Sequence, residues 1–166
     1  MELQDLKLII GLGNPDKQYE QTYHNVGFWA VDFFAQNPQL SNLLKTDVYM
    51  NQSGGFVKKT LKKYKIKPEN LLIVHDDADI KIGKYKISFG CNSAGHKGVE
   101  SIIKSLGTKN FWRLRIGIDK NITSIDLPAL ARRAKAGDYV LKKIAKKDVE
   151  LIKKAIKEAE KFLKTI

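Results

Sequence analysis

Residues 6–36 read LKLIIGLGNPDKQYEQTYHNVGFWAVDFFAQ, and this stretch decides the fold. Leu6 to Gly11 is a short apolar run closed by glycine, the pattern of a buried strand. Gly11 to Lys17 (GLGNPDK) is loop chemistry. From Asn25 to Gln36 the apolar residues Val26, Ala30, Phe33 and Phe34 fall at i, i+4, i+7 and i+8, which is one face of a helix. Asn37-Pro38 ends it, because the residue before a proline is pushed out of helical conformation. Strand, polar loop and helix in succession form the repeating unit of an α/β domain.

The rest of the chain continues the alternation. Leu43 to Tyr49 reads as a strand, and Ser53 is placed to cap a helix running to Tyr64, with Phe56, Val57 and Leu61 inward. Leu71 to Val74 is an apolar central strand that delivers His75, Asp76 and Asp77 to its carboxyl end. Gly83 to Phe89 is a strand carrying lysines. Ser93 to Leu106 reads as a helix closed by Gly107. WRLRIGI at 112–118 alternates, with Arg113 and Arg115 on one face. Residues 120–138 read as a loop with a short helix around Ala129 to Lys135. From Lys147 onward, Val149, Ile152, Ile156, Phe162 and Leu163 mark an amphipathic helix. No internal repeat is visible. The expectation is α/β: a single three-layer domain over residues 1–166, with a mixed β-sheet flanked by helices.

Composition narrows the function classes. The chain has 166 residues, 30 Lys+Arg against 18 Asp+Glu, and a formal net charge of +12. A hydrophobic fraction of 43% excludes a disordered chain. The positive surplus points to a polyanion such as nucleic acid, or to a lysine-rich solvated surface. No apolar run is long enough for a membrane helix, and the first residues lack the pattern of a secretory signal. Cys91 is the only cysteine, so no internal disulfide forms and a reducing cytoplasm fits.

In open α/β sheets, sites form beyond the carboxyl ends of strands. Four polar junctions fall there: Gly13-Asn14-Pro15, His75-Asp76-Asp77, the Tyr49-to-Gly54 stretch YMNQSG, and Asn92-to-Gly98, NSAGHKG. Tyr23-His24-Asn25 opens the first helix. A histidine is a general base at neutral pH, and a carboxylate holds its tautomer, so His24 with Asp76 makes a base pair for activating water. No serine or cysteine stands out as nucleophile. Asn14 and Asn51 can orient substrate or donate hydrogen bonds to a developing oxyanion. Against this stand two other readings: His24 as a helix cap, and Asp76, Asp77 and Asp79 either as a Mg²⁺ cluster or as plain turn residues. The glycines of GLGNPD imitate a dinucleotide fingerprint but lack its third glycine. Among the basic residues, Arg113 and Arg115 are the better phosphate ligands, while Lys58, Lys59, Lys62 and Lys63 read as a solvated helix face.

Together GLGNP, YxxTxHNxG, YMNxSG, HDDxD, GHxG and RLRIGI resemble the bacterial peptidyl-tRNA hydrolase family, in order and over most of the chain. The resemblance implies an enzyme that cleaves the ester between a peptide and the tRNA 3′ end, recycling tRNA from abortive translation. It implies His24 as the base that activates water, Asp76 as the residue stabilising its working form, and Asn14 as the group that accepts an N-acylated substrate. Tyr19, Tyr49, Met50 and Asn51 would line the cleft, and Lys86 and Arg115 would meet tRNA phosphates. No cofactor or metal is implied, and the protein is expected to be a cytoplasmic monomer without membrane contact. Departures exist. Lys97, a candidate substrate and tRNA contact, stands where the family usually carries asparagine and would either grip a phosphate or weaken substrate positioning; Ser88 stands where the family carries a second lysine. Residues 37–48 hold about one strand where an extra strand pair is usual, and the C-terminal end is short. A catalytically reduced RNA-binding relative of the same fold, and a metal-dependent nuclease built on the Asp cluster, remain as alternatives.

Overall fold

Leu8–Gly11 and Leu71–Val74 are buried at every position, as parallel strands covered on both faces must be. A computed structural model of the chain describes residues 2–120, 137 and 139–165. Five strands form one sheet: β1 (Leu8–Gly11), β2 (Leu43–Lys45), β3 (Leu71–Lys81), β4 (Tyr85–Phe89) and β5 (Trp112–Asp119), in the order β2-β1-β3-β5-β4. β2, β1, β3 and β5 run parallel, and β4 pairs antiparallel with β5. Among the described residues the α-helices are α1 (Val26–Phe34), α2 (Ser53–Tyr64), α3 (Lys97–Leu106) and α4 (Lys146–Leu163).

The alternation along β3 sorts the core into two layers. Leu72 and Val74 face Val26, Ala30 and Phe34 of α1 and Ile152, Ile156 and Ala159 of α4. Leu71 and Ile73 face Val57 and Leu61 of α2 and Val99 and Ile102 of α3. Helices on both faces of a mixed sheet give the expected three-layer α/β architecture. Contact between α1 and the sheet is close because residue 27 is glycine: a Cβ there would stand 2.4 Å from the backbone oxygens of both Leu12 and Val74.

Several boundaries differ from the sequence reading. β3 does not stop at Val74. It runs on to Lys81, pairing Asp76 with Ile116 and Asp77 with Gly117, with a register shift before Lys81. The neighbouring β1 ends at Gly11, opposite Val74, so His75 to Asp77 overhang its carboxyl end while remaining in the strand. β2 spans only Leu43–Lys45, because after it Thr46 N–H bonds Gly11 O and the chain turns. α3 begins at Lys97, capped by His96, rather than at Ser93. Ser53 does not cap α2; it is the first helical residue, and its Oγ donates to Met50 O at 2.8 Å. Arg113 and Arg115 share a face, opposite Ser88 and Lys86 of β4, but Arg113 is fully buried and cannot meet a phosphate. The short helix expected around 129–135 lies outside the described residues.

Candidate active site

The overhang of β3 forms one wall of a cleft of about 730 Å³. Asn14, His24, Tyr49, Met50, Asn51, Asp76 and Lys97, all expected at the site, line it. Tyr19, Lys86 and Arg115 lie outside the lining. Tyr19 is half-buried at the end of the turn Lys17–Tyr19. Lys86 is exposed on β4 directly opposite Arg115 on β5, and Arg115 Nε donates to Asp77 Oδ2 at 2.7 Å, which ties it to the cleft wall.

His24 sits in a 3-10 turn, Tyr23–Asn25, that leads into α1. Local sequence alone does not hold this turn. His24 N–H bonds Val140 O at 2.9 Å, and the preceding Tyr23 hydroxyl donates to Asp148 Oδ2 at 2.6 Å while accepting from Ala145 N–H at 3.2 Å. The start of α4 and the segment before it therefore fix the histidine from behind. Its Nδ1 lies 2.9 Å from Asp76 Oδ1. A carboxylate only accepts, so Nδ1 carries the proton and Nε2 keeps its lone pair. Burial would lower the proton affinity of His24. The Asp76 charge and hydrogen bond outweigh that, against a smaller opposing pull from Lys97, and leave the imidazole above the usual histidine value. Asp76 is held far below the usual carboxylate range: burial opposes ionisation, but His24 and His96 more than compensate.

Asn14 is clamped on both sides. Its N–H bonds Asn25 Oδ1 and its carbonyl accepts from Asn25 Nδ2, each at 2.9 Å, while its own Oδ1 accepts from Met50 N–H at 2.9 Å. With the carbonyl oxygen engaged, the Nδ2 amide is the donor Asn14 offers the cleft. Asn51 is exposed, and its backbone oxygen accepts from Ser101 Oγ at 2.8 Å, anchoring the Met50–Gln52 turn to α3. Tyr49, 46% exposed, donates its hydroxyl to Asp16 Oδ2. Met50 packs where a Cβ on Gly98 would stand 2.4 Å from its sulfur, so the second glycine of GHKG makes room for it.

The sequence reading missed His96 as a functional residue. Its Nε2 reaches Asp76 Oδ1 at 2.9 Å, and its ring stands 4.8 Å from that of His24. The available signal was a glycine-flanked histidine opening a helix. Asn25 was likewise quoted without a role. The Asp76, Asp77 and Asp79 cluster does not converge on an ion: Asp77 pairs with Arg115 and takes the Asp79 N–H at 2.8 Å. Among the described residues, the one group of three with metal-ligand geometry is His24, Asp76 and His96, within 4.8 Å of one another. Their facing nitrogens already bond Asp76 Oδ1, so the arrangement is that of a hydrogen-bonded base.

The peptidyl-tRNA hydrolase family model matches residues 8–42 and 36–166. The chain belongs to this family. A peptidyl-tRNA hydrolase from Aquifex aeolicus is 38% identical over 179 residues, covering 96% of this chain and 88% of its own. One from Neisseria gonorrhoeae is 36% identical over 186 residues, covering 95% and 96%. One from Thermodesulfovibrio yellowstonii is 44% identical over 135 residues, covering 69% and 72%. The crystal structure of peptidyl-tRNA hydrolase from Acinetobacter baumannii superposes with a TM-score of 0.81 at 32% identity, covering 99% of this chain and 89% of that one. A complex of peptidyl-tRNA hydrolase with n-propanol gives a TM-score of 0.82 at 31% identity over the same shares. Among the described residues, this peptidyl-tRNA hydrolase relative has no helix long and apolar enough to cross a membrane.

Proposed function

We propose that this protein hydrolyses the ester joining a peptide to the 3′ end of tRNA; its relatives are named peptidyl-tRNA hydrolases. One observation carries the reading: the His24 Nδ1 to Asp76 Oδ1 bond of 2.9 Å, which leaves Nε2 as a lone pair in a cleft that Asn14 and Asn51 also line. His24 Nε2 takes a proton from water as the oxygen attacks the ester carbonyl. The Asn14 Nδ2 amide donates to the carbonyl oxygen as negative charge develops on it, and Asn51 helps to position the acyl group. The tetrahedral adduct collapses to the peptide carboxylic acid as the C–O bond to the ribose breaks, and His24 returns its proton to the departing 3′ oxygen. The Asp76 carboxylate keeps the imidazole in the required tautomer and stabilises the imidazolium between these steps. An ester is more reactive than an amide, so a positioned water, one base and a few donors suffice. Tyr49 and Met50 shape the cleft around the substrate, with Tyr19 beside it, while Lys97, Lys86 and Arg115 meet tRNA phosphates. The protein works as a single domain, a monomer, in the cytoplasm and without a metal.

Incubation with N-acetylated aminoacyl-tRNA in EDTA tests the proposal. Ester cleavage with intact tRNA is expected. His24→Ala should lower kcat by about 10²–10⁴, the usual share of a general base, and leave tRNA binding within about twofold by filter retention. An intact ester at saturating protein, or strand cutting that needs restored Mg²⁺, would reject it.

A further inference from the structure

Asp76 Oδ1 receives two imidazoles: His24 Nδ1 and His96 Nε2, each at 2.9 Å. The function described above uses only the first. His96 is the N-cap residue of α3, and its other ring nitrogen, Nδ1, accepts the Val99 N–H at 3.3 Å. A nitrogen that accepts carries no proton, so His96 is pinned as the Nε2–H tautomer. In that form it has one group to offer, and it offers it to Asp76. A neighbour reinforces the arrangement from below. His75 is wholly buried, lies 4.6 Å from the His96 ring, and bonds the Asp76 backbone carbonyl through Nδ1 at 2.6 Å. A carboxylate terminus turns easily about its last torsion. With donors fixed on two separate elements, the turn before α1 and the start of α3, Asp76 Oδ1 has one place to be.

We propose that His96 is a positioning residue for the reaction: the N-terminus of α3 sets its tautomer, and through Asp76 Oδ1 it sets the direction in which His24 presents Nε2 to water. This rests on the hydrolase reading. It adds that α3, which supplies no atom to the reacting ester, is part of the alignment of the base. It also accounts for a histidine at a capping position where serine, threonine or asparagine would cap as well. The imidazole accepts from the helix at one end and donates to the carboxylate at the other.

Two substitutions separate these halves. Asparagine at 96 keeps the cap acceptor but lacks the reach to Asp76. Glutamine places an amide donor near the position of the imidazole Nε2 but caps poorly. His96→Ala and His96→Asn should lower kcat by about 10- to 100-fold, the range for a misaligned reacting group, with KM within about twofold. His96→Gln should recover most of kcat although it melts lower than His96→Asn. Wild-type kcat in His96→Ala, equal losses in the Asn and Gln variants, or losses that follow melting temperature rather than the donor would each overturn the proposal. Long-range ¹H–¹⁵N correlation spectra of the protein alone give an arm that needs no activity. They should show His96 protonated at Nε2 and bare at Nδ1, and a proton on Nδ1 would sink the idea even if ester cleavage is robust. Should the wild type cleave no ester, the hydrolase reading fails while these spectra still decide the tautomer.

Discussion

Asp76 works by giving one oxygen to two rings, and the consequence reaches the pH dependence of the base. His24 acts only when neutral. Burial by itself would favour the neutral form; Asp76 overrides burial and raises the imidazole above 6.5. The acid limb of kcat/KM, which reports the free enzyme, should therefore lie above pH 6.5, with activity lost as pH falls through it. In Asp76→Asn the raising charge is gone and burial remains, so the limb should move to lower pH. The plateau rate should fall by about 10²-fold or more, since an amide no longer selects the Nδ1–H tautomer. A pH–rate series on both proteins checks this, and an Asp76→Asn limb unmoved or shifted upward counts against it. His24, Asp76, Asn14 and Asn51 are candidates that residue type and order along the chain suggest. His96 was not, because its role depends on an acceptor bond to α3 and a donor bond to β3 that no local pattern encodes.

The strand-to-helix units behaved as their patterns require, and their packing distances predict unequal tolerance of two glycines. Gly27 in α1 is pressed against backbone: an added methyl would meet the carbonyls of Leu12 and Val74 at 2.4 Å, and neither can rotate away. Gly27→Ala should cost at least about 1–3 kcal/mol, as overpacking does. At about 2–4 °C per kcal/mol, that is a melting point several degrees lower. It should also disturb activity, since α1 follows directly on His24. Gly55 in α2 has nothing within 4 Å, so Gly55→Ala should stabilise by about 0.4–1 kcal/mol through helix propensity and a stiffer unfolded chain. Differential scanning calorimetry on both variants decides the pair. Equal effects would mean that α1 does not approach β1 and β3 as closely as described. Element boundaries were less legible than element types. β3 outruns its apolar core because β5, not its own composition, continues to pair with it through Asp77. β2 is shorter than the strand expected over Leu43 to Tyr49 because its neighbour β1 ends at Gly11.

The charge of +12 is spread unevenly in its consequences. Lys58, Lys59, Lys62 and Lys63 are exposed along α2, where α2 turns away from the cleft lining. Lys97 lines the cleft, and Lys86 stands opposite Arg115. If tRNA is gripped at the cleft, binding should weaken with salt, and Lys86→Ala should lower the slope of log affinity against log salt by about one. Replacing Lys59 and Lys63 together should leave that slope unchanged; the reverse result would move the RNA interface to α2. Fluorescence anisotropy with labelled tRNA across a salt series measures both. Residue order alone pointed to the α/β class, the three-layer expectation, the family, and His24 and Asp76 as candidates, because hydrophobic period and motif chemistry are local and survive without neighbours. Only the folded molecule decided that Arg113 is buried, that Arg115 is held by Asp77, and that Asp76 answers to two histidines. Those outcomes depend on which strands lie side by side and where each one ends. They join residues far apart in the chain, and no stretch of sequence read alone contains both partners.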